Sequence, residues 1–283
     1  MSIAGLRVLS LESRRAREIE TLIRRLGGNP FVAPSVQERA LEDHRDALEF
    51  VDRLEAGEFD LVVCMTGAGL GFLRDIVAAH MPVDRLAAAL RRVTIISRGP
   101  KPVPILRALD VPVHVVVPEP NTWKEIVDAV ARRPERRIAV QEYGRPNLEM
   151  NAELRALGAN VTPIAIYRWE LPAEREPLRN AVRRLAAREV DVVIFTSSIQ
   201  LDHLLEIARE TNLEARVLEA LRDEVAVASV GPVMTASLES LGIRPDIVPN
   251  HPKMWALVKA ADEMAEQVVS GKRAAYSNRD SLK

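Results

Sequence analysis

The sequence predicts an α/β protein that consists of two similar domains, each built on a doubly wound parallel sheet. Short runs rich in β-branched residues alternate with segments of helical periodicity along the chain. The strand-like runs are apolar at consecutive positions, which is typical of parallel strands covered on both faces. In addition, the chain of 283 residues is long enough for two domains. It also repeats itself at an offset of roughly 131 residues.

The internal repeat joins segments that hold the same position in each copy. The matching pairs are residues 26–29 (LGGN) with 157–160 (LGAN), 60–67 (DLVVCMTG) with 191–198 (DVVIFTSS), and 98–100 (RGP) with 230–232 (VGP). Two copies of one unit predict two similar domains, with a cleft between them as the first place to expect a ligand.

Each strand is predicted from a short apolar run. In chain order these runs are residues 7–11, 60–65, 93–97, 114–117, 137–141, 191–196, 225–230 and 246–248. Helical spacing of apolar residues marks the first helix, at Ala16, Ile19, Leu22, Ile23 and Leu26, and a later one, at Leu201, Leu204, Leu205 and Ala208. Gly27 and Gly158 supply helix C-caps in the two copies.

Three further segments are predicted from composition. Residues 35–54 are interpreted as a long helix with a charged, solvated face, and residues 171–177 (LPAEREP) as a linker. After residue 264 the sequence becomes polar and predicts a frayed tail.

Composition narrows the classes of function. The net charge is −1, so the sequence indicates no general attraction to nucleic acid or to an anionic membrane. No apolar run approaches the ~20 residues that span a bilayer, and the N-terminus lacks a signal-peptide hydrophobic region, so we expect a cytoplasmic protein. Cys64 is expected to be a buried small hydrophobe, and the five histidines lack metal-ligand spacing, so no metal site is predicted.

The strand–helix junctions carry the chemical signal. Thr196, Ser197 and Ser198 follow one strand and can cap the next helix, while Gly231 and Pro232 follow another and suit a helix start. The first copy has a hydroxyl residue after a strand at residues 66–69 (TGAG) and a Gly-Pro pair at residues 99–100. Four helix N-termini at the carboxyl ends of parallel strands would favour an anionic ligand, although each is equally explained as a good helix start and nothing more.

Common catalytic signatures are absent from the sequence. It has no dinucleotide-binding glycine fingerprint, no P-loop and no nucleophile elbow. Chemistry that needs positioning, one proton donor and charge complementarity fits these absences best.

The chain resembles the uroporphyrinogen-III synthase family. The resemblance is carried by residues 161–169 (VTPIAIYRW), by residues 191–198, and by residues 230–232 with the Leu-Gly-Ile of 241–243 and the Val-Pro of 248–249. It extends from about residue 7 to about residue 261. It implies a cofactor-free, monomeric lyase that closes hydroxymethylbilane into uroporphyrinogen III and inverts the last pyrrole ring. A transient contact with hydroxymethylbilane synthase would be compatible with it.

The resemblance also implies a domain arrangement. It predicts two flavodoxin-like domains joined by a two-stranded linker, one formed by residues 1–36 and 170–265 and the other by residues 37–169, with residues 266–283 as a polar C-terminal tail. Sequence periodicity alone would have placed the boundary near Arg136.

Site residues are carried over from the family position by position. Tyr167 matches a tyrosine expected to assist departure of the substrate hydroxyl, since a phenol is protonated at neutral pH; it could instead be an aromatic residue that packs at the linker. Ser197 matches a hydroxyl residue expected to hold a substrate carboxylate, and Gly231 matches the glycine of a Gly-Pro turn. The predicted binding set comprises Arg14, Thr66, Gly67, Gly99, Lys101, Arg145, Arg168, Thr196, Ser197, Ser198, Gly231 and Pro232.

Two departures from the family pattern are visible. A threonine is common three residues after the turn glycine, whereas this chain has Met234 at that position and Thr235 one residue later. One residue along a helix turns the side chain by ~100°, so Thr235 cannot simply replace the missing threonine. A common Thr-Arg after the first strand is replaced by residues 11–15 (LESRR), which leaves Arg14 or Arg15 to supply positive charge.

Other cations follow predicted strands and could pair with the carboxylates of the substrate. They are Arg98, Lys101, Arg145, Arg168 and Lys253. Surface charge is the usual explanation for any one of them, and collectively they could supply the counter-charge for an anionic substrate.

Two rival functions remain open at this stage. The departures favour a noncatalytic tetrapyrrole-binding or regulatory protein that retains the synthase fold, because fold does not determine function. A two-lobed receptor of the periplasmic type would have a suitable shape, but the missing signal peptide counts against it.

Overall fold

The computed structural model of the chain describes residues 2–280, and the side chains of residues 2–275. The strands are β1 (Arg7–Ser10), β2 (Asn29–Val32), β3 (Gln37–Ala40), β4 (Leu61–Cys64), β5 (Thr94–Ser97), β6 (Val115–Val116), β7 (Arg137–Gln141), β8 (Asn160–Ile164), β9 (Tyr167–Glu170), β10 (Val192–Phe195) and β11 (Ala226–Ser229). The helices are α1 (Ala16–Arg25), α2 (Arg45–Glu55), α3 (Gly67–His80), α4 (Val83–Leu90), α5 (Val103–Ala108), α6 (Trp123–Ala131), α7 (Leu148–Ala156), α8 (Glu176–Ala186), α9 (Ser198–Glu210), α10 (Glu214–Asp223), α11 (Pro232–Glu239) and α12 (Met254–Asp280).

The chain forms two compact units. Unit 1 comprises the residues up to Gln37 and those from Glu170 onward, and unit 2 comprises Glu38–Trp169. Strands β3 and β9 pair as a two-stranded sheet, and both chain crossings between the units fall within these strands. The chain thus leaves unit 1, completes unit 2 and returns.

The sheet of unit 1 is parallel and has the order β2-β1-β10-β11. A parallel bridge between Ala228 and Ile247 adds one more segment beside β11. Counted in chain order within the unit, these segments run 2-1-3-4-5, the order of flavodoxin-like sheets. The predicted strand at residues 246–248 is therefore reduced to this single bridge.

The sheet of unit 2 is also parallel, with the order β6-β5-β4-β7-β8. Its strands occupy the same spatial succession as those of unit 1, with β7 and β8 in the places of β1 and β2. This shared succession supports the predicted duplication, which stays an inference from the sequence.

Both sheets are covered by helices on two faces, which explains their consecutive apolar residues. In β10, Val193 and Phe195 lie in one core cluster, whereas Val192 and Ile194 lie in the cluster on the opposite face. Strand β4 divides in the same way, with Val62 and Cys64 on one face and Leu61 and Val63 on the other. The predicted α/β fold class is confirmed. Cys64 is fully buried, and this burial raises the pKa of its thiol to about 12.

The predicted helix at residues 35–54 is wrong in its first half. Residues Gln37–Ala40 form β3, and α2 begins only at Arg45. The charged residues of β3 alternate between more and less exposed positions, and Leu41 N donates to Ile166 O at 3.1 Å. Pairing with a distant strand thus overrides the local helical pattern.

The C-terminal segment also differs from the expected frayed tail. Helix α12 continues past residue 265, because Val269 is buried in the core of unit 1 and Lys272 Nζ lies 2.7 Å from a carboxylate oxygen of Asp246. Residues 281–283 lie outside the described part of the chain.

Candidate active site

The carboxyl ends of three neighbouring strands define the site of unit 2. Cys64 in β4 is in register with Ser97 in β5 and with Gln141 in β7. The residues that follow these positions therefore emerge at one edge of the sheet, where ligands bind in open α/β folds. Arg98 is held there by its backbone N–H, which donates to Cys64 O at 2.9 Å.

A hydrogen-bonded pair of hydroxyls lies at this edge. Thr66 is the N-cap of α3, where its Oγ1 accepts from Gly69 N at 3.0 Å. The same Oγ1 lies 3.1 Å from the phenol oxygen of Tyr167, the first residue of β9. The Tyr167 ring is buried, 3% exposed, and stacks at a tilt on Phe72 with centroids 5.6 Å apart. Strand pairing, ring packing and this bond together fix the phenol.

Close backbone packing explains the Thr-Gly-Ala-Gly sequence at the start of α3. A Cβ on Gly67 would lie 2.6 Å from Lys101 O, and a Cβ on Gly69 would lie 2.0 Å from Gln141 Nε2. Gln141 Oε1 accepts from Thr66 N at 3.2 Å. These glycines therefore allow the ends of β4, β5 and β7 to approach one another.

The Gly-Pro segment of unit 2 differs from the prediction. Gly99 has a φ of 71°, in the left-handed region, and α5 begins only at Val103 after an N-cap at Pro102. Gly99 and Pro100 therefore form a loop rather than a helix start, which removes one of the four predicted helix N-termini. Ser97 Oγ secures the loop by donating to Gly99 O at 2.7 Å.

A carboxylate of the chain itself meets the corresponding junction of unit 1. Thr196 Oγ1 donates to Glu12 Oε2 and accepts from Gln200 Nε2, the latter at 2.8 Å. The backbone N–H groups of Thr196 and Ser197 both donate to Gln200 Oε1, at 2.7 and 3.4 Å. Ser198, the first residue of α9, is buried. The hydroxyl and amides predicted to meet a substrate anion are thus engaged within unit 1.

The Gly-Pro junction of unit 1 matches the prediction. Gly231 is the N-cap of α11, and Pro232 is its first residue. A Cβ on Gly231 would lie 3.0 Å from the Pro252 side chain. Met234 is buried in the core of the unit, and Thr235 Oγ1 lies 3.0 Å from Ser229 Oγ. The Met234 departure therefore adds core packing, and the neighbouring threonine is bonded to the sheet.

The comparisons with known proteins agree with this architecture. The family model described as "Uroporphyrinogen-III synthase HemD" matches residues 17–259, most of the chain. The chain belongs to the uroporphyrinogen-III synthase family.

Relatives and solved structures of this family member are distant in sequence. The chain is 28% identical to "Uncharacterized protein YjjA" of Bacillus subtilis (strain 168), over 90% of this chain and 94% of that protein. It is also 28% identical to a "Putative uroporphyrinogen-III synthase" of Methanothermobacter thermautotrophicus, over 81% and 87% of the two chains. A crystal structure of mutant uroporphyrinogen III synthase from Thermus thermophilus is similar in fold, with a TM-score of 0.70, 24% identity and coverage of 93% and 99%. The enzyme from Helicobacter pylori 26695 shares the fold at 13% identity, with a TM-score of 0.52 and coverage of 90% and 98%.

The four cations of the predicted binding set lie at the surface of their own units. They are Arg14 after β1, Lys101 before α5, Arg145 after β7 and Arg168 in β9. Side chains alternate along a strand, so Arg168 is exposed while Tyr167 is buried. Arg145 N donates to Tyr143 O at 2.7 Å, which closes a tight turn. These four side chains are therefore candidates for outer contacts to a ligand.

Sequence reasoning left several residues of these junctions out of the predicted set. They are Glu12, Gln141, Tyr143 and Gln200, whereas Arg98 was named only as a cation that follows a strand. Gln141 is the last residue of β7, and Gln200 lies in the first turn of α9. A search for polar side chains at those positions would have found both. The contact of Arg98 with Tyr143 joins residues far apart in sequence and leaves no local signal.

Metal clusters and membrane spans are both missing from the described residues. Among residues 2–275, whose side chains are described, no group of three or more His, Cys, Asp or Glu is placed to hold a metal ion. In the same part of the chain, no helix is both long and apolar enough to cross a membrane.

Proposed function

We propose that this protein is a uroporphyrinogen-III synthase: a lyase that cyclises hydroxymethylbilane to uroporphyrinogen III and inverts the last pyrrole ring. The observation that carries the proposal is the buried Tyr167 phenol, held 3.1 Å from Thr66 Oγ1 at the carboxyl edge of the unit 2 sheet. Membership of the family and the shared fold support it.

Tyr167 is the proposed proton donor. Its O–H proton passes to the hydroxyl of the substrate, the C–O bond breaks, and the hydroxyl leaves as water. The carbon left behind is attacked by the last pyrrole ring at its substituted position, which gives the spiro intermediate expected for this family. The bond from this ring to its original bridging carbon then breaks, and that carbon bonds to the free position of the same ring. The proton lost from that position returns to the phenolate, which restores Tyr167.

Thr66 is the proposed orienting partner of Tyr167. Thr66 Oγ1 accepts a hydrogen bond from Gly69 N, so the first turn of α3 fixes the position of this hydroxyl. A hydroxyl fixed in this way restricts the rotation of the phenol O–H and keeps the proton available in one direction. The site then contributes positioning and one proton, and the substrate supplies the reactive carbon.

The proposal extends to the setting of the enzyme. It acts as a monomer without a cofactor, it is located in the cytoplasm, and its reaction belongs to tetrapyrrole biosynthesis. It takes a labile substrate that hydroxymethylbilane synthase would release close by.

One observation favours a second candidate function. The carboxylate of Glu12 accepts a hydrogen bond from Thr196, next to Ser197, where the family resemblance predicts a substrate carboxylate. Like charges in proximity disfavour an anionic ligand. A noncatalytic tetrapyrrole-binding or regulatory protein that keeps the fold would tolerate this arrangement.

The product isomer separates the two candidates. Purified protein is incubated with hydroxymethylbilane generated in place, and the product is oxidised and resolved into its isomers. An enzyme gives the type III isomer, whereas the second candidate gives the type I isomer that forms spontaneously.

A further inference from the structure

Arg98 presents an unusual cation at the edge of the unit 2 sheet. It follows β5 directly, its side chain is partly buried, and its guanidinium carbon lies 4.7 Å from the centroid of the Tyr143 ring. Removal from water lowers the pKa of this guanidinium, against a smaller opposing effect of Tyr143 and Tyr167. An arginine remains charged even so, and a desolvated positive charge favours an anion beside it.

No counter-charge for Arg98 is present in the part of the chain that the structure describes. No carboxylate lies within 4.0 Å of its nitrogen atoms, and no protein acceptor takes a hydrogen bond from its guanidinium. By contrast, Asp191, a buried charge of unit 1, is paired with Arg7 and Arg273. A contact with one aromatic face leaves the five N–H donors of a guanidinium unused.

The surroundings of Arg98 hold it in place. The Tyr143 ring contacts Trp169 edge-on at 5.5 Å, and a Cβ on Gly144 would lie 2.5 Å from the Trp169 ring. Gly144 has a φ of 67°, so glycine is needed both for the turn and for this close packing. The position of the Tyr143 ring beside the guanidinium is therefore fixed by the packing of the fold.

We infer that Arg98 is a carboxylate-binding residue, which holds an acetate or propionate group of the tetrapyrrole beside the Tyr167 hydroxyl. The identity of this ligand rests on the proposed function, while the binding of a carboxylate rests on Arg98 itself. Arginine binds a carboxylate through two parallel N–H bonds, so the contact fixes orientation as well as position. Arg98 is thus a positioning residue for the ring that reacts near Tyr167.

The test compares Arg98→Met and Arg98→Lys with Arg107→Met. The control removes the same charge from an exposed position of α5 in the same unit. Binding is measured by titration with uroporphyrin III, a stable octacarboxylate, and turnover by the KM and kcat for hydroxymethylbilane.

For Arg98→Met we expect a ten- to hundredfold weaker Kd, on the order of a lost charged hydrogen bond, with KM affected more than kcat. Arg98→Lys keeps the charge but offers a single contact, so a smaller loss is expected. Uroporphyrin should also raise the Tm of the wild type and of Arg107→Met more than that of Arg98→Met.

Wild-type Kd and KM in Arg98→Met would overturn the assignment. If that variant fails to fold, unchanged constants in Arg98→Lys would overturn it instead. The proposed function fails separately, if the wild type forms only the type I isomer. In that case Arg98-dependent binding of uroporphyrin would still support a carboxylate site.

Discussion

The two units use the same kind of strand–helix junction but satisfy it differently. In unit 1 the Thr196 hydroxyl donates to the carboxylate of Glu12. In unit 2 the corresponding hydroxyl, that of Thr66, meets the Tyr167 phenol. The threonine hydroxyl of the unit 1 junction is thus bonded to a carboxylate of the chain, whereas that of the unit 2 junction is bonded to a neutral phenol.

The difference extends to the buried ionisable groups. Burial opposes the ionisation of Asp191, but the hydrogen bonds from Arg7 prevail and lower the pKa of this carboxyl. In unit 2, burial raises the pKa of Glu142, and Glu142 Oε1 has no hydrogen-bond partner among the described residues. Arg98 likewise has no counter-charge within them. A desolvated charge without a counter-charge costs stability, and ionisable groups perturbed in this way are frequent at functional sites.

The largest effect is expected for Tyr167→Phe. Removal of the phenol hydroxyl leaves ring packing on Phe72 intact but removes the proton donor, so formation of the type III isomer should fall by at least about a hundredfold. The isomer assay measures this loss, and thermal unfolding should show a Tm within a few degrees of the wild type. Wild-type activity in Tyr167→Phe would remove the phenol from the mechanism.

Gly67→Ala tests the close approach of the strand ends in unit 2. Its Cβ would lie 2.6 Å from Lys101 O, so the backbone must shift and the free energy of unfolding should fall by about 1–3 kcal/mol. The matched control is Gly71→Ala in the same helix, where the new Cβ would lie 3.6 Å from Ile105 Cδ1. The control should be neutral or stabilising by up to about 1 kcal/mol, since alanine is a better helix former. Equal effects of the two substitutions in urea denaturation would contradict the packing argument.

Glu142→Gln tests the buried acid of unit 2 through the pH dependence of stability. Because the pKa of Glu142 is raised in the folded state, the folded chain holds this proton to a higher pH than the unfolded chain does. Its contribution to stability is therefore present at low pH and is lost as the pH rises through the folded-state pKa.

The neutral glutamine avoids this loss, so the stability of Glu142→Gln relative to wild type should increase between about pH 4 and pH 8. Denaturation curves at the two pH values measure the gain, with the exposed Glu153→Gln as control. A pH-independent difference between wild type and Glu142→Gln would show that the buried carboxyl does not titrate as proposed.

The smallest effect is expected for Glu12→Ala in unit 1. The substitution frees the Thr196 hydroxyl and removes a negative charge, so uroporphyrin should bind about threefold to tenfold more tightly. Glu18→Ala removes an exposed carboxylate from the same unit and should leave the affinity unchanged. Weaker binding of uroporphyrin by Glu12→Ala would show that the Glu12 carboxylate helps the protein to bind the ligand and does not compete with it for the Thr196 hydroxyl.

Much of this fold could be predicted because its signals are local. Residues 60–65 and 191–196 are dominated by consecutive apolar residues, and helix coverage of both sheet faces requires that pattern. The charged strand Gln37–Ala40 could not be recognised, because its state depends on pairing with Tyr167–Glu170, a segment far away in the sequence.

The sequence predicted which strand–helix junctions carry the polar residues of the candidate site, but not which side chains interact there. Thr66 and Thr196 stand out as hydroxyls after strands, whereas the partner of Thr196, Glu12, is 184 residues away in the sequence. Arg98 and Tyr143 meet only because β5 and β7 flank β4 in the sheet. Spatial neighbours of this kind follow from the strand order, which the sequence pattern alone does not contain.

The isomer composition of the product tests the central claim most directly. Wild type and Tyr167→Phe are compared at equal concentration with freshly generated hydroxymethylbilane. We predict that the wild type yields predominantly type III, and that Tyr167→Phe yields mainly the spontaneous type I isomer. Type I alone from the wild-type protein would contradict the proposed synthase activity.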